Sequence, residues 1–411
     1  MRNSKVILAL VVALLIGMEV AACGSSNGGS GGRAGNSSWT IGAIAGCSGG
    51  QASSLGGTCK TMQAWAQSVN DGGGINGHKI NLIVKDDGGN PTTASTMIHE
   101  LVERDHVIAI VGDSSNVSGT WASYVDAKGI PVVGGFPTAS PFTNDPNFYS
   151  IGANLVTIQY ATMQEVVNHG YNKFGFLYCA EAPTCAQAVP VMQAAASLAG
   201  VSVVSEKVAG TAPDFTAQCL EMKNAGVQAF EVGSSTDVAI RVLDACRAQG
   251  LQAPLNANDG TVTTDWVKNK NTEGMFGAEL TAPWFYTQLP AIQQYHDAVK
   301  KYAPDVYNSS QFGSNTTYMW IAGKLFEAAA KAGNLGANPT SQDVKRGLYA
   351  LQGETLEGLT APLTYTEGKP SVNPCYFPIE IRNSQFVAPN GATPTCIPQD
   401  KLAPLVNSLG G

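Results

Sequence analysis

The strongest constraint on this chain is an alternation. Short runs of apolar and β-branched residues are separated by segments whose apolar residues recur every three or four positions. The first run, 39–45, is closed by a Gly/Ser-rich stretch at 46–57. Leu55, Cys59, Met62, Ala66 and Val69 then fall on one helical face. Asp71-Gly72-Gly73-Gly74 stops that helix. Strands are expected at 79–85, 107–112 and 130–134, with helices at 91–104 and 117–128 between them. A second series starts near Leu155, with helices at 156–169, 189–199, 215–224 and 236–249 and strands at 173–178, 201–208, 228–232 and 254–257. A parallel neighbour is reached only through a long crossover, so this order implies parallel sheets wound with helices on both faces. Two successive series imply an α/β protein of two similar lobes. Further helices are expected at 290–302, 316–333 and 341–351, and the Pro-rich tail 370–404 should be irregular or in short strands.

Composition agrees with a folded body. Of the 411 residues, 44% are hydrophobic, which excludes bulk disorder. The net charge is −7 and no basic stretch occurs, so no nucleic-acid partner is expected. At the start, Arg2 and Lys5 precede an apolar run at 6–16, which is short of the ~20 residues a membrane span needs. Val20-Ala21-Ala22-Cys23 follows. Residues 1–22 read as a secretory signal, and its end resembles a bacterial lipobox. That resemblance implies that Cys23 is lipidated and becomes the mature N-terminus, although Glu19 beside it departs from the pattern. An ordinary signal peptide with a chance cysteine is the plainer alternative. Residues 23–38 are Gly/Ser/Asn-rich with one charge, Arg33, and should form a flexible tether. The expected location is therefore outside the cytoplasm, with membrane contact through the lipid anchor only.

The chain has nine cysteines. With Cys23 set aside, Cys47, Cys59, Cys179, Cys185, Cys219, Cys246, Cys375 and Cys396 remain. An even number in an oxidising space suggests disulfides. Pairing nearest neighbours gives Cys47–Cys59, Cys179–Cys185, Cys219–Cys246 and Cys375–Cys396. No C-x-x-C spacing occurs and the five His are scattered, so neither a metal nor another cofactor is expected.

In open α/β sheets ligands bind beyond the carboxyl ends of the strands. The loops there are Gly46-Cys47-Ser48-Gly49-Gly50 with Ser53-Ser54, then Asp113-Ser114-Ser115-Asn116, then Phe136-Pro137-Thr138-Ala139-Ser140. All three are rich in hydroxyls and free backbone N–H groups, which suit an anionic group such as a carboxylate. Plain N-capping by Ser and Asn would explain each loop singly. The second series offers 179–185, Gly233-Ser234-Ser235-Thr236 and Asn258-Asp259-Gly260. Asp259 suits a ligand ammonium, or a simple Asx-turn with Gly260.

A longer block is more specific. Asn70-Asp71-Gly72-Gly73-Gly74-Ile75-Asn76-Gly77-His78-Lys79-Ile80 runs on to Val84-Lys85-Asp86-Asp87-Gly88-Gly89-Asn90-Pro91, and Gly129-Ile130-Pro131-Val132-Val133 comes later. Together these resemble the leucine/isoleucine/valine-binding proteins, the type I periplasmic binding proteins of ABC importers, over 39 to about 365. The resemblance implies two lobes joined by a three-strand hinge: 39–154 plus 282–370, and 155–281 plus 371–411. It implies an extracytoplasmic, monomeric solute-binding lipoprotein that closes on an amino acid or related small carboxylate or amide and delivers it to an ABC permease. It places the ligand carboxylate on Ser114, Ser115 and Asn116, a carbonyl and a hydroxyl on Pro137 and Thr138, and the ammonium on Asp259, where relatives often carry Glu. Leucine-binding relatives line the pocket with aromatics where this chain has Ser54, Thr184 and Ser235. A smaller-walled, more polar pocket follows, with Phe136, Trp121 or 284–286 as other sources of aromatic surface.

Two readings from other classes compete. The same fold serves as a sensor subunit that signals to a membrane receptor. Gly46–Gly50 also fits G-x-S-x-G, a hydrolase elbow around Ser48 with His296 as partner. The Cys47 pairing and the long loop that follows argue against it, and no enzyme is expected.

Overall fold

The computed structural model describes residues 37–181, 183–258 and 260–409. The expected signal, Cys23, Arg33 and Asp259 lie outside the described residues.

The first sheet has five parallel strands, β1 (Ser38–Ala45), β2 (Lys79–Asp86), β3 (Ile110–Ser114), β4 (Val132–Gly135) and β5 (Phe148–Tyr149), in the order β2-β1-β3-β4-β5. Its connections carry α1 (Ala52–Leu55), α2 (Thr58–Asp71), α3 (Pro91–His99), α4 (Ala122–Lys128) and α5 (Pro141–Asn144). Ile110, Val111, Val132 and Val133 are all fully buried, as expected of strands covered on both faces.

The second sheet is entered through α6 (Leu155–Asn168). Strands β6 (Lys173–Cys179), β7 (Ser202–Val208), β8 (Ala229–Gly233), β9 (Leu255–Asn258) and β10 (Phe276–Glu279) alternate with α7 (Pro183–Ala199), α8 (Thr216–Asn224) and α9 (Thr236–Ala248). Their parallel order is β7-β6-β8-β9-β10. The chain then returns to the first sheet. There α10 (Pro290–Tyr302), α11 (Pro304–Tyr307), α12 (Ser314–Ala332) and α13 (Ser341–Tyr349) follow, and α12 packs across α2, β3 and β4. A small hairpin of β11 (Gln352–Glu354) and β12 (Leu363–Thr364) ends this excursion. Finally β13 (Cys375–Arg382) joins β10 antiparallel, with β14 (Gln385–Val387) and β15 (Thr395–Cys396) on its far side, and α14 (Gln399–Leu409) packs on α6 and α7. The fold is thus the α/β architecture of two mostly parallel sheets that the alternation implied.

The tail differs from the expectation. It supplies an eight-residue strand whose Phe377, Ile379 and Ile381 are buried, plus a closing helix. Pro374 and Pro378 mask this in the sequence. On its outer side β13 pairs β15 at Cys375–Tyr376 and β14 from Glu380, and Pro378 falls between the two pairings, a place that tolerates Pro. Strand β10 also escapes sequence reading, being only four residues with Gly277 inside. Helix α7 begins at Pro183, before the expected 189, with Pro190 inside it.

The four disulfides join Cys47 to Cys59, Cys179 to Cys185, Cys219 to Cys246 and Cys375 to Cys396. Cys219–Cys246 ties α8 to α9 inside the second core.

The chain passes between the sheets three times, after β5, after β10 and before β13, and the crossings are pinned together. Tyr365 Oη donates to Ser150 O at 2.6 Å, Thr157 Oγ1 donates to Asn373 O at 2.9 Å, and Ala282 N donates to Leu359 O at 2.9 Å. Gly152 lies against the Leu280 carbonyl so closely that a Cβ would come within 2.2 Å of its oxygen. Replacing Gly152 with Ala should therefore cost roughly 1–3 kcal/mol of stability by overpacking. Gly50→Ala, where a Cβ meets nothing within 4 Å, should leave the urea midpoint unchanged. Equal midpoints for the two variants would contradict the tight crossing.

Candidate ligand-binding cleft

Strand order locates the site. In the first sheet the chain steps outward from β1 to β2 and then back past β1 to β3, so a crevice opens beyond the carboxyl ends of β1 and β3. In the second sheet the same reversal falls between β6 and β8. The loops there are 46–57 and 114–118 on one side, and 180–181 and 234–236 on the other.

These two switch points touch. Ser54, buried in α1, accepts a hydrogen bond from the backbone N–H of Thr236 at 3.0 Å. Its hydroxyl also lies 3.1 Å from Thr236 Oγ1, which in turn donates to Thr261 O at 2.8 Å. Ser235, the N-cap residue of α9, makes no cap bond of its own and donates instead to Asp237 Oδ1 at 2.8 Å. Ser54 thus satisfies the α9 N-terminus from across the cleft, a role usually filled within one helix. Beside it, Ser53 Oγ donates to Asp237 Oδ1 at 2.6 Å. Burial opposes ionisation of Asp237, but the Ser53 and Ser235 hydroxyls, a backbone N–H and Arg241 outweigh it and hold the carboxyl below its ordinary range.

A third element completes the seam. The start of α12 meets the loop after β9: Ser314 N donates to Val262 O at 3.0 Å, and Asn315 Nδ2 donates to Gly260 O at 2.6 Å and to Ser54 O at 3.3 Å. The Phe136 ring borders Gly260 from the first sheet.

The expected site residues divide. Ser54, Ser235 and Phe136 lie at this seam. Ser114 ends β3 with its hydroxyl buried and without a partner. Ser115, its neighbour, is spent inside the protein: its Oγ donates to Asp87 Oδ2 at 2.5 Å and accepts from Val117 N at 3.3 Å. Asn116 and Thr138 are half-buried, and Pro137 is buried. Thr184 falls in α7 and Asp259 lies outside the described residues. Trp121 packs on Phe148 in the first core, and Trp284 packs among Phe285, Phe312 and Phe386, so neither faces the seam. A groove of about 540 Å³ lined by Asp237, Arg241, Asp265 and Lys268 opens beside the seam, outside it.

Sequence reading missed Asp237 and Asn315, and took Gly260 only as the turn partner of Asp259. A signal for Asn315 existed: Ser314-Asn315-Thr316-Thr317 is a polar run opening an otherwise apolar helix, and all four are buried.

Below the loops sit two buried carboxyls. Burial pushes Asp113 up to about 8, against the Ser118 hydroxyl and the Ser115 N–H that favour its charged form, and Asp87 raises it further. Burial also raises Asp87, although Ser115 and Gly89 donate to it.

Ser48 does not form an elbow. It is exposed, its backbone N–H donates to Asp86 Oδ1 at 3.2 Å, and a short 3₁₀ turn follows it. His296 is occupied at Nε2 by Trp284 O at 2.7 Å. Among the described residues no three His, Cys, Asp or Glu converge as a metal site, and no helix is long and apolar enough to cross a membrane.

A family model described as periplasmic binding protein matches residues 38–385. The chain belongs to that family. It is a family of ligand-binding proteins rather than of enzymes. A Pseudomonas aeruginosa amino acid binding protein is 26% identical over 215 residues, 49% of this chain and 54% of that protein, so the match spans about half the relative's length. A branched-chain amino acid ABC transporter protein from Thermus thermophilus, solved with bound valine, superposes with a TM-score of 0.78 at 16% identity, covering 91% of this chain and 99% of that one. A solute binding protein of an R. palustris ABC transporter, in complex with benzoate, gives 0.71 at 16%, covering 88% and 98%. These solved relatives share the periplasmic binding protein fold.

Two outcomes are expected. Ser54→Ala removes the cap on α9 and should weaken the contact between the two switch points by about 0.5–2 kcal/mol. Dyes placed on the two sheets' surfaces would report a longer mean distance without ligand, and an unchanged distance would remove Ser54 from the closing contact. Second, Asp113 holds its proton in the folded chain up to about 8 but loses it near 3.8 when unfolded. Folding therefore binds a proton across that window, and stability should fall as pH rises through it, by at most about 1.4 kcal/mol per pH unit. Asp113→Asn should flatten the slope in urea denaturation between pH 5 and 8; an unaltered slope would exclude Asp113 as its source.

Proposed function

We propose that this protein is an extracytoplasmic solute-binding protein that captures an amino acid, or a related small carboxylate or amide, by closing its two lobes. The observation that carries this reading is the Ser54–Thr236 contact, which joins the switch points of the two sheets. A guest held between those points makes its full set of contacts only when the lobes are together, so it shifts the open–closed balance by its differential affinity. The lobes are 39–154 plus 282–370 and 155–281 plus 371–411. Ser114 and Asn116 receive the carboxylate, with Pro137 and Thr138 beside them, and Asp259 receives the ammonium. Ser54, Thr184 and Ser235 shape a polar, small-walled pocket.

Delivery to an ABC permease follows in this reading, with the closed form as the recognised shape. Cys23 carries the lipid, and the Gly/Ser-rich tether keeps a monomeric clamp near the permease at high effective concentration.

A thermal-shift screen of amino acids, short amides and small carboxylic acids tests the reading. A ligand at 100 times its dissociation constant should add about 2.7 kcal/mol of stability. For an amino-acid hit, Asp259→Ala should weaken binding by about 1.5–3 kcal/mol, the value of a charge-assisted hydrogen bond. No stabilisation by any compound in the screen would sink the proposal, and unchanged affinity of Asp259→Ala would sink the ammonium site.

A further inference from the structure

The seam holds a buried polar atom that the protein does not pair. Asn315 carries it. This residue opens the 19-residue α12 and is 4% exposed. Its amide nitrogen donates to Gly260 O and to Ser54 O, one partner in the loop after β9 and one on α1. Both partners are carbonyls and can only accept, so the amide is oriented: its NH2 faces them and Oδ1 faces away. That Oδ1 is buried and has no hydrogen-bond donor.

Two features border that oxygen. Gly260 has left-handed backbone, φ +68°, and a Cβ at that position would lie 2.7 Å from Asn315 Oδ1 and 3.0 Å from the Phe136 ring. The seam is therefore tight at Gly260, with an acceptor on one side and an aromatic edge on the other. Ser114 Oγ, at the carboxyl end of β3, is a second buried polar atom without a partner. An acceptor sealed from water without a donor destabilises the closed form. A guest that presents an N–H to it removes that penalty, and a guest without one leaves it in place.

We infer that Asn315 is a specificity-determining residue of the cleft: its side-chain oxygen accepts a hydrogen bond from the ligand, and the cleft selects small molecules with an ammonium or amide N–H over carboxylates without one. This rests on the solute-binding reading above. Because the same amide bonds α1 and the Gly260 loop, the acceptor is presented only when the seam is formed, so selection and closure are coupled.

Matched probes test this by calorimetry on the full chain: valine with isovalerate, phenylalanine with 3-phenylpropionate, and benzamide with benzoate. The wild type should bind the N–H-bearing member of at least one pair about tenfold or more tightly than its partner, and Asn315→Ala should reduce that ratio about tenfold. Asn315→Ser keeps a short polar side chain in the seam while removing the amide oxygen and pulling the remaining acceptor back from the ligand. It should lose the same ratio, and it guards against a folding defect in the first variant. Equal weakening of both members of a pair would show a structural role only and overturn the inference, as would a wild type that favours the member without N–H. Binding of none of the six probes would overturn the solute class itself, and this inference with it.

Discussion

One hydroxyl joins the switch points of the two sheets. Ser54 comes from the loop after β1 and caps α9 in the other sheet's layer, a contact between residues 182 positions apart. A helix N-terminus needs an acceptor for its free N–H groups. Here Ser235 turns its hydroxyl to Asp237, so that need is met from across the cleft. The two switch points therefore meet through hydrogen bonds.

The hinge has the opposite character. Its crossings are joined by Tyr365–Ser150, Thr157–Asn373 and Ala282–Leu359 bonds, and Gly152 lets the first crossing lie against the second. The aromatic group of Trp284, Phe312 and Phe386 fills the space near the second crossing. The protein thus combines a densely packed set of crossings with a seam that carries an unpaired polar atom, Asn315 Oδ1.

Much of the fold was legible because it rests on local pattern. Runs such as 107–112 and 130–134 had to be parallel strands buried on both faces, and the helices between them had to cross over. The tail was not legible, because β13 is a strand only through its pairing with β10, and Pro378 is tolerated only where the outer strands leave a gap. The site was legible as loops and not as side chains. Ser114 and Ser115 are adjacent and chemically identical, yet one hydroxyl is unpaired at a strand end and the other is consumed by Asp87. Trp121 and Trp284 could have lined a pocket, but both are core residues.

The sequence by itself determined the class of fold, the block from Asn70 to Pro91 that pointed to the family, and the hydroxyl-rich loops at the strand ends, since all of these are written in spacing and residue type along short stretches. Tertiary structure alone decided which hydroxyl reaches across the cleft, which one turns inward, and that Asn315 from a late helix joins loops near residues 54 and 260. Those outcomes depend on distances between segments far apart in the chain, and burial gives a polar atom its cost or its use only after the segments have met.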